Sequence, residues 1–414
     1  MKNNVPDKQA PSRLAKIIPV IRGLLAQKTG NEDMPYKPVI LKSLTDKEAL
    51  DGFDKLTTGF AAAKNAKVGW GLPHHKTGGL KPILPESKKP PLFLDAPDIN
   101  DPPENIRKKI SDAISTHSAK HKSKPEIVCI QKLGVLYVEK NEDDSKLPLH
   151  NKVALITGAA GAIGYGICVG LLEAGCRLAA TDLPGKRLDE LSADLRRIDA
   201  KRVIAIPLDV TDKESVSRGF ETIVQTWGGI DIVIVNAGIP LVANLKDIGL
   251  EEFRKLEKVN VEGALLTLSE AARLFINQGI GGDIIVISTK NVPAPGASFG
   301  AYSATKAACH QLGRIASIEL AKYGIRVNMV APDGVFSEGK YKSGLWEQIG
   351  PDRMKARGLD EKGLEEYYRN RNLLKARITG RHVSNAVLFF VTRQTPTTGA
   401  TIPVDGGLPD ATPR

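Results

Sequence analysis

The sequence predicts an α/β fold for its last two-thirds: a doubly wound, mostly parallel sheet covered by helices on both faces. Three observations predict it. Short apolar runs (VALIT, RLAAT, VIAIPL, DIVIVN, DIIVIS, IRVNMV) recur from residue 153 to residue 330. Between them lie stretches with helical spacing, at 162–174, 186–198, 212–226, 250–277 and 302–322. The charged and proline-rich character of the preceding 148 residues stops at Pro148. Strands that alternate with helices form βαβ units, and their near-continuous apolar runs are those of strands buried on both faces. Right-handed crossovers then place the strand ends, and any ligand, along one edge of the sheet.

The first strand, VALIT, runs into Thr157-Gly158-Ala159-Ala160-Gly161-Ala162-Ile163-Gly164. Glycines there permit a tight turn and close approach to a pyrophosphate, and the following helix offers unpaired N–H groups to the anion. Such a loop is a weak signal alone; its place between strand and helix strengthens it. The second strand ends at Asp182, where a carboxylate can accept hydrogen bonds from both adenosine ribose hydroxyls and repel a 2′-phosphate. This points to NAD as the cofactor, with NADP kept open by Lys186 and Arg187 just downstream. The third strand ends in Leu208-Asp209-Val210, placed to border an adenine. The fourth ends in Asn236-Ala237-Gly238, whose small residues allow backbone and cofactor to approach.

The fourth and fifth units carry the candidate chemistry. In FGAYSATKAACH, Tyr302 and Lys306 stand four apart and share a helix face. A free tyrosine has a pKa of about 10, and a nearby ammonium stabilises the phenolate and makes it a usable acid or base. Ser288 and Thr289 end the preceding strand, 14 and 13 residues before Tyr302. Either hydroxyl could orient a substrate oxygen. Asn260, in KVNVEGALL, can fix a water that links Lys306 to solvent.

This ordered set resembles the classical short-chain dehydrogenase/reductase family over roughly residues 149–410. The resemblance implies a Rossmann sheet of seven strands in the order 3-2-1-4-5-6-7 and an NAD(P)-dependent oxidoreductase acting on a CH–OH group of a small molecule. It implies Tyr302 as acid/base, Lys306 as its partner and holder of the nicotinamide ribose, and Asn260 as support of the proton relay. It also implies a homodimer or homotetramer. The family commonly has Ser where Thr289 stands, so both hydroxyls stay candidates. Downstream, STKNVPAPG, PDGVF at 332–336, EEYYRNRNLLK and TTGATIPVDGGLPDATPR resemble the dehydrogenase half of bifunctional rhamnulose-phosphate aldolase/alcohol dehydrogenases. The substrate expected is thus a small polyol, hydroxyaldehyde or sugar.

Residues 337–377 form an insert that would cover the substrate. Its basic residues include Lys340, Arg353, Arg357, Arg369 and Arg371, which either grip an anionic group or form salt bridges with Glu347, Glu361, Glu365 and Glu366. Trp346, Tyr367 and Tyr368 either line an apolar wall or pack the lid.

Residues 1–148 form a basic, proline-rich extension with 15 of the 26 prolines. Residues 1–150 hold 25 Lys and Arg against 18 Asp and Glu, a net of +7 within a chain total of +11. That charge suits a solvated surface first, and a nucleic acid or anionic surface second. Helices are expected at 46–63 and 103–117, and one or two strands at 126–138. Residues 13–25 are basic and amphipathic, but Pro19 argues against an uninterrupted helix; a short helix docked on the protein's own surface is expected. His117 and His121, at i and i+4, lack further ligands at a recognised spacing and are expected on the surface, with no metal bound. Cys129, Cys168, Cys176 and Cys309 form no C-x-x-C pair and suit reduced thiols in the cytoplasm. No run approaches the roughly 18 apolar residues of a membrane-spanning helix. A different class of function also fits: a structural or regulatory subunit that keeps its cofactor site and wraps a partner with the extension.

Overall fold

A computed structural model describes residues 10–44, 89–98, 100–130, 133–139, 146–344, 346–347 and 350–409. The helix expected at 46–63 lies outside the described residues. The large sheet has seven parallel strands: β7 (Val153–Thr157), β8 (Arg177–Asp182), β9 (Val203–Pro207), β10 (Ile232–Val235), β11 (Gly282–Ile287), β12 (Ile325–Pro332) and β13 (Thr401–Val404). Their spatial order is β9-β8-β7-β10-β11-β12-β13, which is the expected 3-2-1-4-5-6-7. The order reverses between β7 and β10. Loops from either side therefore part there and leave a crevice at the carboxyl ends of the strands.

Helices α3 (Ala162–Glu173), α4 (Lys186–Asp199) and α11 (Gly380–Val391) cover one face of this sheet, and α5 (Lys213–Trp227), α7 (Gly263–Gln278) and α8 (Gly300–Leu320) cover the other. The central strands β7 and β10 are buried along their whole length, which explains their Val/Ile/Leu/Ala composition, broken only by Thr157 at the end of β7. The expected single helix at 250–277 is two: α6 (Leu250–Glu257) and α7, joined by a π-helical turn over Lys258–Glu262 in which the Gly263 N–H donates to the Lys258 carbonyl. The extra residue of that turn is local, so a periodicity averaged over 28 positions does not register it.

The N-terminal region packs on the face formed by α5 and α7. Its first helix, α1 (Ala10–Leu25), is continuous through Pro19, contrary to expectation. A proline inside a helix costs about 3 kcal/mol. Leu14, Ile17, Ile18, Val20, Ile21 and Leu25 are all nearly inaccessible to solvent, and their burial at about 1.5–3 kcal/mol each offsets that cost. The helix is also not a surface ornament. The Arg22 side chain is 0% exposed and makes a two-pronged ion pair with Asp231, at 2.7 and 3.2 Å, just before β10. Its Nε donates to the Val39 carbonyl at 2.8 Å. Asp231 Oδ2 also accepts the Val153 N–H at 2.8 Å, so one carboxylate ties α1 to the starts of two central strands. Burial works to raise the Asp231 pKa, but Arg22 and Lys152 outweigh it and hold the carboxyl below its usual range.

Strands β3 (Leu41–Leu44), β4 (Leu92–Leu94), β5 (Ile127–Ile130) and β6 (Gly134–Val138) form a second sheet, ordered β3-β6-β5-β4. Helix α2 (Pro103–His121) covers one side of it together with α1. The strands expected at 126–138 are therefore two, and α2 runs one turn past 117. His117 is buried, not on the surface, and its ring contacts that of His121 at 4.6 Å. Burial, with His121 and Lys120 nearby, lowers its pKa. Among the described residues no group of three or more His, Cys, Asp or Glu could hold a metal ion, and no helix is long and apolar enough to cross a membrane. The four cysteines are free and buried.

Candidate active site

The carboxyl ends of β7, β10, β11 and β12 open into a cavity of about 630 Å³. Of the residues singled out from the sequence, Ile163, Asn236, Gly238, Ser288, Thr289, Tyr302 and Lys306 line it. Gly158, Gly161, Gly164, Ala237, Asp182 and Asn260 support it from behind or beside. Asp209 instead borders a separate shallow hollow with Leu183, Pro184, Leu208 and Arg218, at the end of β9. Val210 is buried and packs against Gly263, where an added Cβ would come within 2.7 Å of it.

The glycine loop is built for close approach. Gly158 has φ +64°, and a Cβ there would lie 2.8 Å from the Ala237 Cα. The Asn236-Ala237-Gly238 turn thus abuts the loop without side chains between them. Asn236 Nδ2 donates to the Thr157 and Gly158 carbonyls at 2.9 and 2.8 Å, and Thr157 Oγ1 accepts the Asn236 and Ala237 N–H groups. At Gly164 a Cβ would collide with the backbone of Gly158 and Ala159, whereas at Gly161 it would meet open space. Gly161 caps α3 with extended backbone and no side-chain hydrogen bond, and the first helical N–H, that of Ala162, donates to the Lys342 carbonyl of the insert at 3.2 Å. Asp182 accepts the Ala160 N–H on one oxygen and the Leu183 N–H on the other, both at 2.8 Å. It remains half-buried at the rim. An open glycine, a helix N-terminus beside it and a carboxylate at the end of β8 fit an adenine dinucleotide with its pyrophosphate on the loop.

On the other side, Lys306 is buried and its Nζ donates to the Ile287 carbonyl at 2.6 Å, at the end of β11. Tyr302, one turn earlier on α8, is half-buried and opens to the cavity. Asn260 sits in the π-turn, 1% exposed. Its Oδ1 accepts the Ile239 N–H at 2.9 Å, while its Nδ2 donates to the Ile239 carbonyl and to Thr305 Oγ1. One amide therefore locks the loop after β10 to the helix that carries Tyr302 and Lys306.

The two hydroxyl candidates separate. Ser288 Oγ is engaged with His310 Nδ1 at 2.9 Å. Thr289 Oγ1 accepts the Asn291 N–H at 3.3 Å, which leaves its own hydrogen available. His310 was not singled out from the sequence. It stands at i+4 from Lys306, the same spacing that marked the Tyr–Lys pair, so a signal was present. Burial, with Arg314 nearby, lowers its pKa.

The insert closes the outer wall through α9 (Gly350–Arg357) and α10 (Glu361–Asn370). Phe336, Leu364 and Tyr368 form its core with Trp346, whose Nε1 donates to the Val335 carbonyl at 3.0 Å. Arg353, Arg357, Arg371, Tyr367 and Tyr368 line the cavity. Arg369 does not. Its Nε is spent on the Lys375 carbonyl, because a position two residues from Arg371 falls on another face of the helix. Among the described residues the expected salt bridges to glutamates reduce to Arg377–Glu365 at 4.0 Å, while Glu347 pairs with Arg187 from outside the insert. Asp333, Leu408 and Pro409, absent from the sequence reading, complete the wall.

A crevice at the reversal point of a parallel sheet, with a glycine loop on one side and a tyrosine–lysine pair on the other, defines a dinucleotide-dependent oxidoreductase. Comparisons narrow the class. A short chain dehydrogenase family model matches residues 152–348. The L-2,3-butanediol dehydrogenase of Corynebacterium glutamicum is 30% identical over 262 residues, which cover 62% of this chain and 98% of that protein. An uncharacterised oxidoreductase of Bacillus subtilis, YuxG, is 34% identical over 265 residues, 64% of this chain but only 38% of its own length. The crystal structure of L-sorbose reductase from Gluconobacter frateurii, complexed with NADPH and L-sorbose, superposes with a TM-score of 0.58 at 25% identity, over 64% of this chain and 99% of that one. The chain belongs to the short-chain dehydrogenase/reductase family, oxidoreductases of CH–OH groups that bind NAD(P).

Proposed function

We propose that the chain is a dehydrogenase that moves a hydride between NAD(H) and a hydroxyl or carbonyl carbon of a small polyol, hydroxyaldehyde or sugar. The observation that carries it is the convergence of Tyr302, Lys306, Ser288 and Thr289 on one cavity beside the glycine loop. The substrate class draws support from the butanediol and sorbose named for two of its relatives. NAD is preferred over NADP because Asp182 places a negative charge where a 2′-phosphate would lie. Residues 149–414 constitute the dehydrogenase, with 337–377 as its lid and 1–148 as an accessory region. YuxG extends well beyond its matched part, so the dehydrogenase portion of this chain corresponds to one part of a longer relative. Exposed Leu265, Ile276, Ile315 and Ile318 on α7 and α8 offer a face for a homodimer or homotetramer.

In the oxidative direction Tyr302 accepts the hydroxyl proton as the carbinol carbon loses its hydride; in reduction it returns the proton to the carbonyl oxygen. The nicotinamide, when bound, supplies the hydride acceptor or donor. Lys306 contributes positive charge one helical turn from the phenol, and its anchor on the Ile287 carbonyl keeps that charge in place. Thr289 donates to the substrate oxygen, since Ser288 is held by His310. The π-turn at Asn260 leaves backbone outside the ordinary helical ladder, where a water can pass protons from Lys306 outward.

The test is NAD reduction across polyols, hydroxy acids and sugar phosphates, with Tyr302→Phe run in parallel. Loss of turnover by about 100-fold or more in the variant, with NADH still bound, supports the assignment. Absence of turnover in the native chain despite NADH binding would transfer the role to a structural or regulatory one.

A further inference from the structure

The cavity wall is strongly unbalanced in charge. Among the described residues Lys290, Lys306, Arg353, Arg357 and Arg371 line it, with Asp333 as the one carboxylate. Lys306 belongs to the proton-transfer machinery, Lys290 donates to the Ala294 carbonyl, and Arg371 stands 3.5 Å from Asp333. Arg353 and Arg357 differ: among the described residues neither has a carboxylate within ion-pair distance. They stand four apart on α9 and so share one face.

Each guanidinium is seated on an aromatic ring. Arg353 lies 4.6 Å from the Phe299 centroid, Arg357 4.3 Å from Tyr367, and Arg371 5.1 Å from Tyr368. A stacked guanidinium is fixed in plane while its edge N–H groups stay free, which suits bidentate grip of a phosphate or carboxylate. The Phe299 centroid is itself 6.2 Å from that of Tyr302. The arginine edge and the acid/base are therefore neighbours across one ring, within the span of a short carbon chain. A cavity lined by one sign of charge also concentrates ligands of the other.

We infer that Arg353 and Arg357, backed by Arg371, form an anion clamp for the substrate. The preferred substrate then carries a phosphate or carboxylate at the end remote from the carbon that reacts at Tyr302. This rests on the dehydrogenase reading above. The lid serves selection as well as closure. A neutral polyol leaves both guanidiniums to water, whereas the anionic counterpart pairs with them.

The experiment uses the full chain and matched pairs: a small polyol with its monophosphate ester, and a 2-hydroxy acid with its amide. The measured quantity is the ratio of kcat/KM for the charged member to that for the neutral one. We expect a ratio of about tenfold or more in the native chain and a fall of roughly 10- to 100-fold in Arg353→Gln/Arg357→Gln, with partial recovery in Arg353→Lys/Arg357→Lys. The pair that shows the larger ratio distinguishes phosphate from carboxylate. Calorimetric titration of inorganic phosphate and of malonate, with NADH present, reads the clamp without turnover. Binding that the glutamine variant loses supports it even if no substrate is turned over and the dehydrogenase reading fails. A native ratio near one, equal losses for both members, a matching loss of NADH affinity, or no binding of either anion would each overturn the clamp while leaving a working dehydrogenase in place.

Discussion

Replacing Arg22 by alanine tests whether the N-terminal helix is part of the folded core. The native side chain is 0% exposed and makes both prongs of its pair with Asp231 plus a hydrogen bond to Val39. Removing one partner of a buried pair costs about 3–5 kcal/mol, because the other charge stays behind without its hydrogen-bonded partner, here with Lys152 as the cation that remains nearby. The stranded Val39 carbonyl adds about 1 kcal/mol. At roughly 2–3 °C per kcal/mol for a chain of this size, the melting temperature should fall by about 8–18 °C, read by far-ultraviolet circular dichroism. The pH dependence carries the sharper signature. Asp231 is held below its usual pKa, so it binds protons less readily folded than unfolded. Its contribution to stability is present above the unfolded value of about 3.9 and is lost as pH falls through the folded value. The alanine variant lacks the Arg22 share of that contribution, so its deficit should stay level from neutral pH to about pH 4 and shrink as the pH falls further through the folded value. A deficit below about 1 kcal/mol, or one that stays constant with pH, would refute the reasoning and make the helix a detachable appendage.

Two further outcomes are expected. Asp182→Ala should lower kcat/KM for NAD and shift the NAD:NADP preference toward NADP by about tenfold or more, measured with a single substrate; an unchanged ratio would return Asp182 to its role of holding the Ala160 and Leu183 N–H groups. The buried cysteines should not react with an aromatic disulfide at pH 8 until the chain unfolds, since burial pushes the Cys129 thiol up to about 12 and raises Cys168, Cys176 and Cys309 as well. Rapid labelling of any of them in the native chain would show that its packing opens.

The sheet was legible because its cause is repetitive. Apolar runs of four to six residues, separated by helical spacing, leave a doubly wound sheet as the arrangement that buries every strand on both faces. The glycine loop, Asp182, Tyr302 and Lys306 were legible because each depends on a neighbour a few residues away or on the end of its own strand. Where the physics is long-range, local patterns fail. Pro19 reads as a helix breaker, yet the α1 helix continues through it, since the burial of Ile17, Ile18, Val20 and Ile21 outweighs a local penalty. Arg22 reads as one more surface charge, and its partner lies 209 residues away. Thr289 and Ser288 are adjacent and chemically alike. Only the packing of α8 against β11, which brings His310 to Ser288, tells them apart. The basic residues of the insert are equivalent in sequence, but helix phase turns Arg353, Arg357 and Arg371 to the cavity and Arg369 away. Sequence alone thus determines the fold class and sets Tyr302 one helical turn from Lys306, because both arise from short-range periodicity and spacing. The tertiary structure decides which hydroxyl is free, which arginines line the cavity and how the N-terminal region is bound, because burial and charge pairing depend on residues that only folding brings together.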